Sequence, residues 1–382
     1  MLLATCHYRP GQGWDTPPDP AWDSERTLLI LFGAPDARPL SDGVEDLRRA
    51  FRAAAWIGCS TSGEMHGDAL LDGALVVAVM RFEHTEVRVA REAIQGSEES
   101  AAVGGRLAAG LAAPDLMGVF VLSDGLVVNG SSLVQGLTAG LPAGMVITGG
   151  LAGDGDRFRR TWVMDKQGFL ENHVVAAGFY GGRIRIAHGS RGGWDILGPE
   201  RRVTSSRGNV LYTLDGQPAL ALYKKYLGER ASGLPATGLL FPLAIRNPSD
   251  EANPTVRTIL AVDETHDSIT FAGDVPQGCT VRLMRANMER LIDGAADASR
   301  MGIASAGTRP AGQPLLCVAI SCVGRRLVLG QRTEEEIEAV LHGLPAGSEL
   351  IGYYSYGELS PLANGLCDLH NQTMTLTLLW EA

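Results

Sequence analysis

Two short stretches carry side chains whose types and spacing suit the handling of a small molecule. "IGCSTSGE" occupies residues 57–64 and "IGYYSYGE" occupies 351–358, so Glu64 and Glu358 fall at the same place in a glycine-framed loop. A carboxylate held just after a glycine turn can accept from a ligand ammonium group, or cap neighbouring backbone N–H groups. Ser60, Ser62, Tyr354, Ser355 and Tyr356 add hydroxyl donors and acceptors to the two loops. Cys59 would be a nucleophile if a nearby base or helix N-terminus lowered its pKa; otherwise it is a small space-filler in a turn.

Two histidines extend the candidates. His370 and Asn371 open the alternating run "CDLHNQTMTLTLLW" (367–380), which places His370, Gln372, Met374, Leu376, Leu378 and Trp380 on one strand face. That polar start could border Tyr354, Ser355, Tyr356 and Glu358 in a shared pocket. In "RIRIAHGSRGGW" (183–194), His188 follows Ile184 and Ile186 on one face. An imidazole presented by an apolar face can serve as an axial ligand to iron, or as a core residue satisfied by a carbonyl. No HExxH, paired-cysteine, Walker or nucleophile-elbow motif occurs. With no acid–base constellation in view, binding is expected and catalysis is not.

The loops must be set by their flanking elements, and these repeat. "TLLILFG" (27–33), a helical pattern over 41–55, the glycine loop and "GALVVAVMRF" (73–82) form one unit. "LMGVFVLSDG" (116–125), 129–141, "MVITGGLAGDG" (145–155) and "HVVAAGFYGG" (173–182) form a second. "PLLCVAISCVG" (314–324), 333–344, "IGYYSYGEL" and "TMTLTLLW" form a third, with Thr333 and Glu336 spaced as a capping box. The expected fold is α/β, with mixed sheets flanked by helices and built from repeated strand, helix, strand, glycine-loop and strand units. At strand C-termini such loops expose backbone N–H groups to ligands. "GSRGGWDILGPERRVTSSRGN" (189–209) reads as a boundary, and 279–301 as a strand and then a helix burying Met284, Met288, Leu291 and Ala295.

Composition narrows the partners. A formal net charge of −10 argues against a nucleic-acid backbone, which calls for concentrated Lys and Arg. No run approaches the roughly 20 apolar residues of a membrane span, and the N-terminus lacks a signal-type apolar segment. The six scattered cysteines suggest neither a disulfide framework nor a zinc motif, which fits the cytoplasm.

Taken together, "IGCSTSGE", "ITGGLAGD" (147–154), "GPERRVTSSRGNVLYTLDGQPAL" (198–220), "GYYSYGELSP" (352–361) and "LHNQTMTLTLL" (369–379) resemble the FIST family of bacterial signal-transduction modules. The resemblance implies an N-terminal module over 24–200, a C-terminal module over 201–382, and a stand-alone sensor of small molecules such as amino acids. The NosP subgroup of that family binds haem b, senses nitric oxide and regulates a partner histidine kinase. Membership there would make His188 the candidate axial ligand, with His370 as its competitor.

Overall fold

Each of the three opening strands is a continuous apolar run, and a strand of that kind must be covered on both faces. The computed structural model, which describes residues 1–247, 250–307, 312–362 and 365–382, covers them with helices outside and with one another inside. The strands Thr27–Gly33, Leu116–Ser123 and Leu315–Cys322 open the three units. Each pairs in parallel with a glycine strand: Ala55–Ser60, Val146–Leu151 and Ser348–Ser355 respectively. On the other side of each opening strand lies an antiparallel return strand, Leu75–Arg81, His173–Tyr180 or Met374–Glu381. A further strand flanks each return strand: Leu2–Arg9, Glu86–Ala93 and Ile184–Arg191. The first sheet therefore includes residues that precede the expected module start at 24.

Between its glycine strand and its return strand, every unit sends out a two-stranded hairpin that joins the sheet of another unit. Glu64–His66 of the first unit pairs with the third unit's glycine strand, Ile351 opposite His66. Val163–Asp165 of the second pairs with the first, opposite Cys59 and Gly58. Gly357–Pro361 of the third pairs with the second, Gly149 opposite Leu359. The exchange is cyclic, and it splits the alternating run at 367–380. Cys367–His370 belongs to the exchanged hairpin, while Met374–Glu381 returns to its own sheet, so the two parts do not share one strand face.

Inside the ring, Ile30, Phe32, Phe120, Leu122, Val318, Ile320 and Tyr353 pack into one central cluster. Outside, the helices Ser41–Ala50, Ser100–Leu111 with Gly130–Gly140, and Met288–Ala306 with Thr333–His342 cover the three outer faces. Met288 departs from expectation: it begins its helix 42% exposed, while Leu291 and Ala295 are buried. Thr333 and Glu336 do not form a capping box. Thr333 Oγ1 donates to Gly330 O, and Glu336 turns inward to Arg325.

The boundary region at 189–209 leads into an insertion within the third unit. Between Ile184–Arg191 and the helix Met288–Ala306, the chain forms a separate antiparallel sheet over its own core of Val203, Leu211, Leu220, Ile269, Phe271 and Val281. The helix Ala219–Leu227 has Pro218 at its N-cap and stops at Gly228, whose φ is +59°.

Candidate ligand-binding site

The glycine that opens each loop answers to one steric demand. Gly58, Gly149 and Gly352 lie opposite Leu31, Val121 and Ala319 on the neighbouring opening strands. A Cβ at these glycines would stand 2.6, 1.8 and 2.0 Å from the facing carbonyl oxygens. The next residues, Cys59, Gly150 and Tyr353, converge on the central axis. Only one large side chain fits there: a Cβ at Gly150 would lie 2.7 Å from Tyr353 Oη.

The corners use their backbone groups on each other. Ser60 N donates to Trp162 O and Gly153 N to Ser60 O. Ser62 N donates to Tyr354 O, Tyr354 N to Gly63 O, and Tyr356 N to Leu151 O. The expectation of ligand-facing corner amides is therefore wrong for these positions; the loops are mutual structural partners. Cys59, Ser60, Tyr354 and Ser355 are completely buried. Burial pushes the Cys59 thiol far above the usual range, with Tyr353 beside it. All six cysteines are free and buried. A thiol-directed reagent at pH 7.5 is thus expected to leave the native chain unlabelled and to modify all six after denaturation; rapid native labelling of Cys59 would contradict this placement.

Glu64 and Glu358 do equivalent work. Thr61 Oγ1 donates to Glu64 Oε1, and Ala74 N, at the start of the return strand, donates to Oε2 at 3.1 Å. Ser355 Oγ lies 2.6 Å from Glu358 Oε1, and Thr373 donates to Oε2 through N and Oγ1. Each carboxyl fastens its corner to its own return strand. Burial raises Glu64 to about 7 and Glu358 to about 8.

These shifts set a sign. The folded chain keeps these protons at pH values where the unfolded chain, with carboxyls near 4.3, has lost them. Stability is therefore fullest below about pH 4.3 as far as these groups are concerned, and falls as pH rises toward 7 and 8. The limiting slope is about 1.4 kcal/mol per pH unit for each group. Glu358→Gln is expected to flatten the upper part of this decline in urea melts from pH 5 to 9. It should also make the variant the more stable protein at pH 8.

The corners differ in what covers them. The insertion roofs the third: Thr258 N donates to Asn371 Oδ1, Arg257 Nη1 to Leu369 O, and Asn371 Nδ2 to Tyr356 O. Asn371 is thus a structural joint. The first corner opens instead to a cleft of 280 Å³, walled by Thr61, Ser62, Gly63 and Glu64 with Asp36, Asp72, Arg157 and Arg326. An adjoining cleft of 350 Å³ shares Pro35, Asp36 and Arg157 with it and adds Arg38, Asp154, Arg159 and Arg160.

The cleft's charges are held by residues from all three units. Arg326 of the third unit donates to Ser62 O, forms a two-pronged pair with Asp72 at 2.9 and 2.7 Å, and lies over the Tyr354 ring. Tyr356 Oη donates to Asp154 Oδ1, with Gly155 O 2.9 Å from the same hydroxyl, and its ring stacks on Phe158 at 4.8 Å. Asp154 Oδ2 in turn accepts from Arg159 N and Arg160 N. Tyr356 therefore sets the arginine loop without lining the cleft. Arg160 pairs with Glu171 and Arg326 with Asp72, whereas Arg38, Arg157 and Arg159 have no carboxylate within ion-pair distance among the described residues.

Of the expected site residues, then, Ser62 and Glu64 reach the cleft. Cys59, Ser60, Tyr354, Ser355, Tyr356, Glu358 and Asn371 support it or lie elsewhere. Arg157 and Arg326 escaped the sequence reading, since only the hairpin exchange brings the second and third units to the first corner; Asp36 and Asp72 lie in the first unit's own loops and carried no motif signal.

His188 and His370 share a different seam. His370 Nε2 lies 2.9 Å from Ser360 O, and its Nδ1 is 3.4 Å from Ser190 Oγ, on the same strand face as His188. Burial lowers both imidazoles below their usual pKa. The seam is tight: Ile186 Cδ1 would stand 2.5 Å from a Cβ at Gly118 on the facing sheet. Both ring nitrogens of His370 are thus engaged, and Ile186 beside His188 packs on the facing sheet, so neither neighbour is free to line a porphyrin.

Residues 27–217 match the family model of the FIST N domain, and residues 219–361 that of the FIST C domain. The chain belongs to the FIST family. FIST domains are associated with small-ligand sensing in signal transduction. The FIST N match spans the first two units and runs on into the insertion, so the family's two segments do not coincide with the three-unit ring. No curated protein matches this FIST chain. Among solved structures it is similar to a cyanuric acid hydrolase from A. caulinodans, at 8% identity and a TM-score of 0.39, over 99% of this chain and 98% of that one. So distant a likeness carries no argument about activity. None of the described helices is long and apolar enough to cross a membrane.

Proposed function

We propose that this FIST chain is a receptor, not an enzyme, and that its ligand is a small charged metabolite of the amino-acid type bound at the first corner. The observation that carries this reading is Arg157. It stands in the wall common to both clefts, without a carboxylate partner and facing the same space as Asp36. Guanidinium groups recognise carboxylates through paired hydrogen bonds, and the acidic side chains across the cleft suit an ammonium group. Because Arg326 and Tyr356 come from the third unit, a ligand at the first corner would load contacts that span the ring. A separate signalling enzyme, such as a histidine kinase, would read that change.

A thermal-shift panel of amino acids and small carboxylates at pH 7 tests the reading, since a ligand that binds only the folded chain raises its melting temperature. A charge-assisted hydrogen bond contributes about 1.5–3 kcal/mol, so Arg157→Ala is expected to weaken the hit by about 10–100-fold. Arg300→Ala, on an exposed helix face, should leave it unchanged. No stabilising compound, or a hit indifferent to Arg157, would refute the site. The haem reading rests on family resemblance, and haemin belongs in the same panel; a Soret band lost in His188→Ala would favour haem over the cleft.

A further inference from the structure

Away from the cleft, the exchanged hairpin of the first unit meets the N-terminal strand at a cluster that nothing above uses. His7 Nδ1 lies 3.1 Å from His66 Nδ1 and 3.1 Å from Asp15 Oδ2, and the three atoms all fall within 4.8 Å of one another. The two rings meet edge to face at 64°, with centroids 5.1 Å apart. A single Nδ1–H on His7 cannot point at His66 and at Asp15 together, so hydrogen bonding leaves one of these contacts unsatisfied.

We propose that His7, Asp15 and His66 form a binding site for a divalent transition metal of the zinc class. Two ligand atoms in a tetrahedral zinc site stand about 3.3 Å apart when each bond is near 2.0–2.1 Å, close to both contacts here. Two imidazoles and one carboxylate are a borderline-soft donor set that suits zinc, cobalt or nickel better than magnesium or calcium. The carboxylate is already aimed: Asp15 Oδ1 accepts from His7 N and Thr16 N, each at 2.7 Å, which leaves Oδ2 for the ion. His7 and Asp15 remain partly exposed, with side chains 21% and 31% accessible, so the ion has a route in and water can complete its shell. Glu349, held by Thr5 Oγ1 at 2.7 Å, adds negative charge nearby. The ion would pin the hairpin Glu64–His66 to the strand Leu2–Arg9, two residues from the cleft carboxyl Glu64.

The test uses the full chain, freed of any affinity tag and stripped with EDTA. Cobalt(II) titration followed by visible absorbance should saturate at one ion per chain with a tetrahedral spectrum, and zinc should displace it. His66→Ala and Asp15→Asn should each weaken binding at least about tenfold. Zinc should raise the melting temperature of the wild type and not of these variants, whereas His266→Ala, at an exposed histidine beside Asp263, should behave as wild type. Asp15→Asn changes a partly exposed side chain and decides the matter if His66→Ala fails to fold. Absence of saturable one-ion binding, or undiminished binding in folded Asp15→Asn, overturns the proposal and leaves the His7–His66 contact as a hydrogen bond.

Discussion

Gly149→Ala is expected to lower the stability of the chain by about 3–5 kcal/mol, and Gly352→Ala to follow closely. A Cβ at Gly149 would stand 1.8 Å from Val121 O, and the residue holds a φ of +141°, a region that L side chains rarely adopt. Neither neighbour can give way easily, because the carbonyl belongs to a strand at the centre of its sheet and the loop is tied to other units. Gly352 lacks the unusual φ but would place Cβ 2.0 Å from Ala319 O. Gly155→Ala is the control. It shares a positive φ of +81° but meets nothing within 4 Å, so it should cost only about 1 kcal/mol. Urea melts of the three variants separate collision from conformational preference; equal losses at Gly149 and Gly155 would mean that the strand spacing gives way.

Arg325→Ala should be of the same order, about 3–5 kcal/mol, for a different reason. Arg325 and Glu336 are both fully inaccessible, with Nη2 2.5 Å and Nε 2.8 Å from Glu336 Oε2. Ser321 Oγ and Tyr354 Oη donate to Glu336 Oε1 at 2.8 and 2.9 Å. The guanidinium also reaches Leu291 O at 2.7 Å and Gly192 O at 3.2 Å, so it fastens the base of the insertion to the third unit. Truncating the arginine leaves a carboxylate deep in the protein with neutral donors alone. The double variant Arg325→Met/Glu336→Gln removes both charges and should be far less harmful. If denaturant unfolding finds the single and double variants alike, the loss reflects packing and not a stranded charge.

Local signals in the sequence were enough for the units and not for their mutual arrangement. Apolar runs bounded by glycines marked the opening and glycine strands, and the match between Glu64 and Glu358 was a true structural equivalence. Same-face placement of Ile184, Ile186 and His188 also followed from strand periodicity. What those faces meet did not. Pairing between Ile351 and His66 joins residues 285 positions apart, and no local pattern encodes it. The alternation across 367–380 hid a change of sheet at Asn371–Thr373, because period-two spacing persists whether or not the strand continues. Glu336 shows the same limit: a helix-start spacing that would serve as a cap was taken by a buried arginine. Of the candidate site, the corner residues Ser62 and Glu64 were readable from motif and spacing. The arginines were not, since Arg157 and Arg326 reach the cleft only through the exchanged hairpins.

The ring of exchanged hairpins has a consequence for how the chain emerges from the ribosome. The glycine strand Ala55–Ser60 keeps an open edge until Val163 has been made, about a hundred residues later. The hairpin that starts at Glu64 waits still longer, for Ile351, 285 residues beyond its partner His66. Sticky edges thus persist through much of synthesis, and the ring closes late, at a rate set by distant partners finding each other. Halting translation after the second unit should leave a species that aggregates or recruits chaperones, even though most of its strands are already complete.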